Sequence, residues 1–99
     1  MNVFGYETKT TFWDDFSIAD RFGVDAIKDT YNRAKKEWKD DVVYFTELVM
    51  VLNWKLWQHY ENGNEFLARV YDTLWRQADE YAVNHFKGDD LTYFYQTTD

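Results

Sequence analysis

Cysteine and proline are absent from this chain of 99 residues, and glycine occurs only four times. Without cysteine there is no disulfide, no thiolate zinc site and no cysteine nucleophile. The four glycines stand apart, so no glycine-rich loop can cradle a phosphate. Ser17 is the single serine and lies in no G-x-S-x-G setting. No apolar run reaches the ~18 residues of a membrane span, and the N-terminus lacks the basic-then-apolar pattern of a secretory signal. A cytoplasmic chain is the expectation. Neither a cofactor nor a metal is expected, and hydrolase and kinase chemistry have no residues to stand on.

What is present is apolar and aromatic. Hydrophobic residues make up 45% and aromatic residues 21%, enough for one core and against disorder. The formal charge is −7, and it is unevenly placed. Residues 1–39 balance, while the acids gather in 40–99. Inside the balanced part, Lys28, Arg33, Lys35, Lys36 and Lys39 form a local basic run. Overall acidity argues against wrapping nucleic acid, because each phosphate contact needs a cation. It suits a partner with a basic surface.

Helical periodicity runs through most of the chain. Residues 1–11 have none and read as an extended arm, with Val3, Phe4 and Tyr6 placed to pin it to the body. Phe12, Phe16, Ala19 and Phe22 predict a helix over 12–22, capped by Thr11 and ended by Gly23. Asp25 as cap and the stripe Ile27, Tyr31, Ala34, Trp38 predict a second over 26–39. Asp40 or Asp41 caps a third over 42–61, apolar around nearly its whole circumference and therefore central. Trp54 and Trp57 are expected in the core there, with Glu47, Lys55 and Gln58 on the polar side. Asn64 caps a fourth over 65–87, with Phe66 and Leu67 opening its apolar arc. The short Asn62-Gly63-Asn64 link makes helices three and four antiparallel neighbours. Asp89 or Asp90 caps a last turn over 91–95. The prediction is one all-α domain over 1–99, a bundle of about four helices built on a long antiparallel hairpin.

Several residues invite a functional reading. Residues 18–24, Ile-Ala-Asp-Arg-Phe-Gly-Val, look like the first helix and turn of a helix-turn-helix, followed by a basic helix. Lys28, Asn32, Lys35, Lys36 and Lys39 would then contact DNA. Against this, Asp29 stands where a buried aliphatic is usual, and an ordinary helix corner with dipole-matched charges explains the same residues. His85 falls in the middle of the fourth helix's apolar arc and is expected to bond a carbonyl or carboxylate near residues 40–43. His59 lies too far from it to share a metal. Thr46 and Asn53 read as a structural hydrogen bond, or else as a small polar site walled by Trp54, Trp57 and Tyr60. The acids Asp14, Asp15, Asp40, Asp41, Asp79, Glu80, Asp89 and Asp90 fall largely at helix starts, where capping accounts for them.

The stretch TTFWDDFSIADRFGVDAIKDTYNRAKKEWKDD, with ELVMVLNWKLWQHYENGN and the closing YFYQTTD, resembles a group of uncharacterised small acidic helical proteins. They are encoded on phage-like and conjugative elements of Gram-positive bacteria. The resemblance transfers no site residue. It implies an accessory protein that binds host machinery, inhibitors of restriction or CRISPR systems being one such class. The expected function is therefore non-enzymatic protein binding through an acidic and aromatic surface. Trp13, Asp14, Asp15, Asp79, Glu80, Asp89, Asp90, Tyr93 and Tyr95 are the candidate contacts. A DNA-binding regulator using helix 26–39 is the alternative. The expected partner is a protein, with self-association as a further option; neither nucleic acid nor membrane is expected.

Overall fold

A computed structural model describes residues 2–3, 6–7 and 12–98, with side chains from Phe12 to Thr98. The chain is all-α. Its five helices are α1 (Phe12–Phe22), α2 (Val24–Trp38), α3 (Val42–Glu61), α4 (Glu65–His85) and α5 (Asp89–Thr98). Ahead of them β1 (Asn2–Val3) and β2 (Tyr6–Glu7) pair antiparallel, with Val3 opposite Tyr6. Thr11 and Phe4 lie outside the described residues, so the cap on α1 and the pinning of the arm do too.

Each boundary has a local cause. The Asp41 carboxylate accepts from the Val43 and Tyr44 N–H groups and starts α3. At its other end Gly63 takes φ 78°, and the Gly63 and Asn64 N–H groups return to the Tyr60 and His59 carbonyls. Gly23, at φ 109° and ψ −171°, turns the chain within one residue. Its carbonyl already accepts from Ile27 N–H, so α2 begins at Val24. Asp25 is therefore not the cap but a first-turn acid, where the helix dipole favours it.

The C-terminal part also departs from expectation. α4 stops at His85, which is exposed, and Phe86, in extended backbone, is buried in the core. The residues after Gly88 form a full helix of ten residues instead of a single turn. Its Phe94 is fully buried.

α3 is the central element and touches each of the other four helices. Near the α3–α4 loop the His59 ring stacks on Tyr71 at 5.4 Å. Toward the other end Phe45 meets Tyr81 at 5.2 Å and Phe86 at 5.9 Å. Phe16, Ile27, Leu48, Leu52, Ala68 and Ala78 complete a core with no exposed surface. Among the predicted core residues that lie outside it, Phe22 and Phe66 sit at the last and nearly the first position of their helices.

Candidate functional site

The densest polar cluster lies between α1, α3 and α4. Asp20 leaves α1 on the flank that faces the other two. Its Oδ2 accepts from Lys55 Nζ at 2.6 Å and from His59 Nε2 at 3.0 Å, and its Oδ1 accepts from the Tyr71 hydroxyl at 2.6 Å. Lys55 also donates to Gln58 Oε1 at 2.7 Å and Ser17 Oγ at 3.4 Å. Because the carboxylate can only accept, His59 carries its proton on Nε2. Its bare Nδ1 then accepts from the Asn64 amide at 3.4 Å. Lys55 is 2% exposed and His59 is buried.

The sequence reading placed Lys55 on the polar side of α3. It is instead held in the interior by an acid 35 residues away in sequence. The local signal was Lys55 as the lone cation in an apolar helix, one turn before His59. Every polar atom of Asp20, Lys55 and His59 is engaged within the cluster, so the set acts as a clasp joining three helices.

Burial raises the Tyr71 phenol far above its ordinary value, and the hydrogen bond to Asp20 and its charge raise it further. Burial pushes Tyr31 up to about 12. Both folded values exceed the unfolded value of about 10, so the native state keeps protons that the unfolded chain gives up. The stabilisation is complete below pH ~10 and is lost as pH rises from there through about 12. Thermal melts should therefore fall steeply above pH ~10. In ultraviolet titration these two phenols should ionise only as the chain unfolds.

The other candidates resolve differently. His85 Nε2 donates to Asp40 Oδ1 at 2.8 Å, a partner within the expected segment, but the pair is on the surface. His85→Ala should accordingly cost only about 0–1 kcal/mol in urea unfolding. Thr46 is buried and Asn53 half-buried. Among the described residues neither side chain makes the expected structural hydrogen bond.

α1 and α2 are joined by Gly23 alone, where a helix-turn-helix has a turn of three or four residues. Lys28, Asn32, Lys36 and Lys39 are exposed, whereas the Lys35 ammonium sits 4.8 Å from the centre of the Tyr81 ring on α4. Asp14, Asp15, Glu80, Asp89 and Asp90 are exposed on three different helices. Asp79 is half-buried, and burial raises its carboxyl. Tyr93 and Tyr95 flank buried Phe94 on α5 and are themselves exposed.

The largest departure is on α3. Trp54 and Trp57, read as core, are exposed, Trp57 by 58%. Trp13 of α1 meets Trp54 edge-on at 6.5 Å, and Trp57 meets Tyr60 at 5.8 Å. Trp54, Trp57 and Tyr60 follow one another at i, i+3 spacing, so they form one row along the helix surface. With Trp13 they place four exposed aromatic rings over the C-terminal half of α3. At 100° per residue, Glu47, Trp54, Trp57 and Glu61 fall within an arc of roughly 80°. The only cation of α3, Lys55, is buried and paired with Asp20, its ammonium 4.9 Å from the centre of the Trp13 ring.

Among the described residues no group of three or more His, Asp or Glu side chains is placed to hold a metal ion, and no helix is long and apolar enough to cross a membrane. No protein-family model matches the chain, and comparison with curated proteins and with solved structures finds no similar protein.

Proposed function

We propose that the chain binds a protein through the Trp13–Trp54–Trp57–Tyr60 face, without catalysis, and that the bound surface is cationic. The observation that carries the reading is four exposed aromatic rings in two contacting pairs, Trp13–Trp54 and Trp57–Tyr60, one helical turn apart on α3. Apolar surface of this kind is costly to leave in water, and Trp and Tyr are the residues on which interface energy concentrates. The charge beside the row, exposed Glu61, is acidic, and exposed Asp14 adjoins Trp13 in sequence. Two copies meeting through this face would bring like charges together, so a basic partner fits better than a second copy. Tryptophan faces also attract lysine and arginine head groups directly.

The resemblance to mobile-element proteins supports one class of partner: a host protein whose cationic surface ordinarily meets nucleic acid, and which the chain would inhibit by covering that surface. Affinity capture from host lysate, run in parallel with wild type and with Trp54→Ser/Trp57→Ser/Tyr60→Ser, tests the reading. A basic protein held by the wild type and released by the variant is the expected result.

A further inference from the structure

A second feature, distinct from the aromatic face, lies on the other flank of α1. There α1 and α2 leave the Gly23 corner with a groove of about 580 Å³ between them. Its floor is made of small side chains: Ala19, Ala26, Thr30 and Ala34, none of them exposed. On α1 its lip is Ile18 and Phe22, one helical turn apart. Phe22 is 78% exposed and Ile18 53%, so neither is consumed by the core. On α2 the lip is Asp29, Arg33 and Glu37, with Trp38 at the far end.

We infer that this groove docks a helix of a partner protein, about three turns long, with an apolar stripe flanked by lysine or arginine. Three observations select that occupant. The first is length: from Ala26 to Trp38 the lining runs twelve residues, roughly 18 Å, or just over three turns of a helix laid alongside. The second is depth. A floor of alanine and threonine leaves room for helix axes to approach to about 8–10 Å, with large apolar side chains of the incoming helix seated between Phe22 and Trp38.

The third is charge. On the α2 lip Asp29 and Glu37 stand against Arg33 alone. Asp29 and Glu37 stand one turn to either side of Arg33, yet neither forms an ion pair with it among the described residues. The basic residues Lys28, Lys35 and Lys39 leave α2 roughly 140° away from this lip, on the side toward α4, and Lys36 stands outside the lining. The groove is thus apolar below and acidic at its edge, which an amphipathic helix with basic flanks complements and one with acidic flanks does not.

The probe is a synthetic fifteen-residue helical peptide with leucines at i, i+4, i+7 and lysines flanking them, titrated into the ¹⁵N-labelled full chain. A second peptide replaces the lysines by glutamates. Saturable binding of the lysine peptide is expected, with amide shifts centred on Ile18, Phe22, Ala26 and Thr30. The glutamate peptide should bind about tenfold more weakly or worse. Phe22→Asp and Glu37→Lys alter exposed side chains, and each should weaken the lysine peptide about tenfold while the helical circular dichroism stays unchanged. Failure of the lysine peptide to saturate by ~1 mM overturns the inference. So do shifts centred on Trp54 and Trp57, or equal binding of the two peptides. The mapping uses the wild-type chain, so it decides the matter even if a variant misfolds. A null result here leaves the aromatic face untouched, because no residue is shared.

Discussion

Asp20→Ala should lower the unfolding free energy by about 3–5 kcal/mol, far more than a surface carboxylate usually contributes. The reason is what it leaves behind. Lys55 Nζ loses an anion at 2.6 Å while its side chain remains 3% exposed. A buried ammonium without a counter-charge is among the costliest groups a fold can hold. Gln58 and Ser17 still accept from Lys55, but neither carries charge. His59 Nε2–H loses its acceptor as well, and the Tyr71 hydroxyl is left with the Phe16 carbonyl at 3.3 Å.

A series of variants separates these parts. Asp20→Asn keeps an acceptor and removes the charge, and should cost less than alanine. Lys55→Met removes the ammonium itself. Adding it to Asp20→Asn should therefore recover stability, since an ion pair replaced as a unit by a neutral, well-packed pair is often close to neutral overall. Urea unfolding followed by circular dichroism measures each value. A loss below about 1 kcal/mol for Asp20→Ala would mean that Lys55 reaches water and that no clasp exists.

The helices were legible because the periodicity that defines them is local. The stripe Ile27, Tyr31, Ala34, Trp38 and the Asp41 cap belong to single turns of chain, and both are found as read. What a helical wheel lacks is knowledge of where neighbours end. Trp54 and Trp57 are as apolar as Leu52 and Leu56, but nothing packs over them, so the same pattern gave a core where there is a surface. Phe22 and Phe66 repeat the lesson at helix termini. His85, at the last position of α4, is exposed in the same way.

Lys55 is the converse case. Its charge argued for solvent, and only the chain's return path shows that Asp20 awaits it. For the same reason Trp54, Trp57 and Tyr60 were legible only as walls of a small polar site: Trp13 joins them from another helix. Of the residues singled out in advance for protein contact, Trp13 is in the row and Asp14 adjoins it in sequence, whereas Asp79, Glu80, Asp89, Asp90, Tyr93 and Tyr95 lie on α4 and α5.

Trp57→Ala is the substitution with the largest expected effect on binding. Trp57 is the most exposed ring of the row and lies between Trp54 and Tyr60, at its centre. Truncating a central tryptophan of an interface commonly costs 2 kcal/mol or more, which is about a thirtyfold loss of affinity. The cost to the free protein should stay near or below about 1 kcal/mol, because little of the side chain is covered before binding. The two readouts must therefore separate: affinity falls and stability holds. Glu61→Lys, at the edge of the same arc, should act mainly on the association rate and its salt dependence. If Trp57→Ala instead destabilises the free chain by the 3–5 kcal/mol typical of a core tryptophan, the ring is covered in solution and the face is not open. Sedimentation of the wild type over a range of concentrations identifies the case in which a second copy provides the cover.

Quantitative mass spectrometry of proteins captured from host lysate tests the docking face most directly, comparing wild type with Trp54→Ser/Trp57→Ser/Tyr60→Ser and with Phe22→Asp. The expected result is a basic protein retained by the wild type and by Phe22→Asp and depleted at least about tenfold on the triple variant, which remains folded and monomeric. A triple variant that captures the same proteins in the same amounts as the wild type would contradict the claim that this face binds a partner.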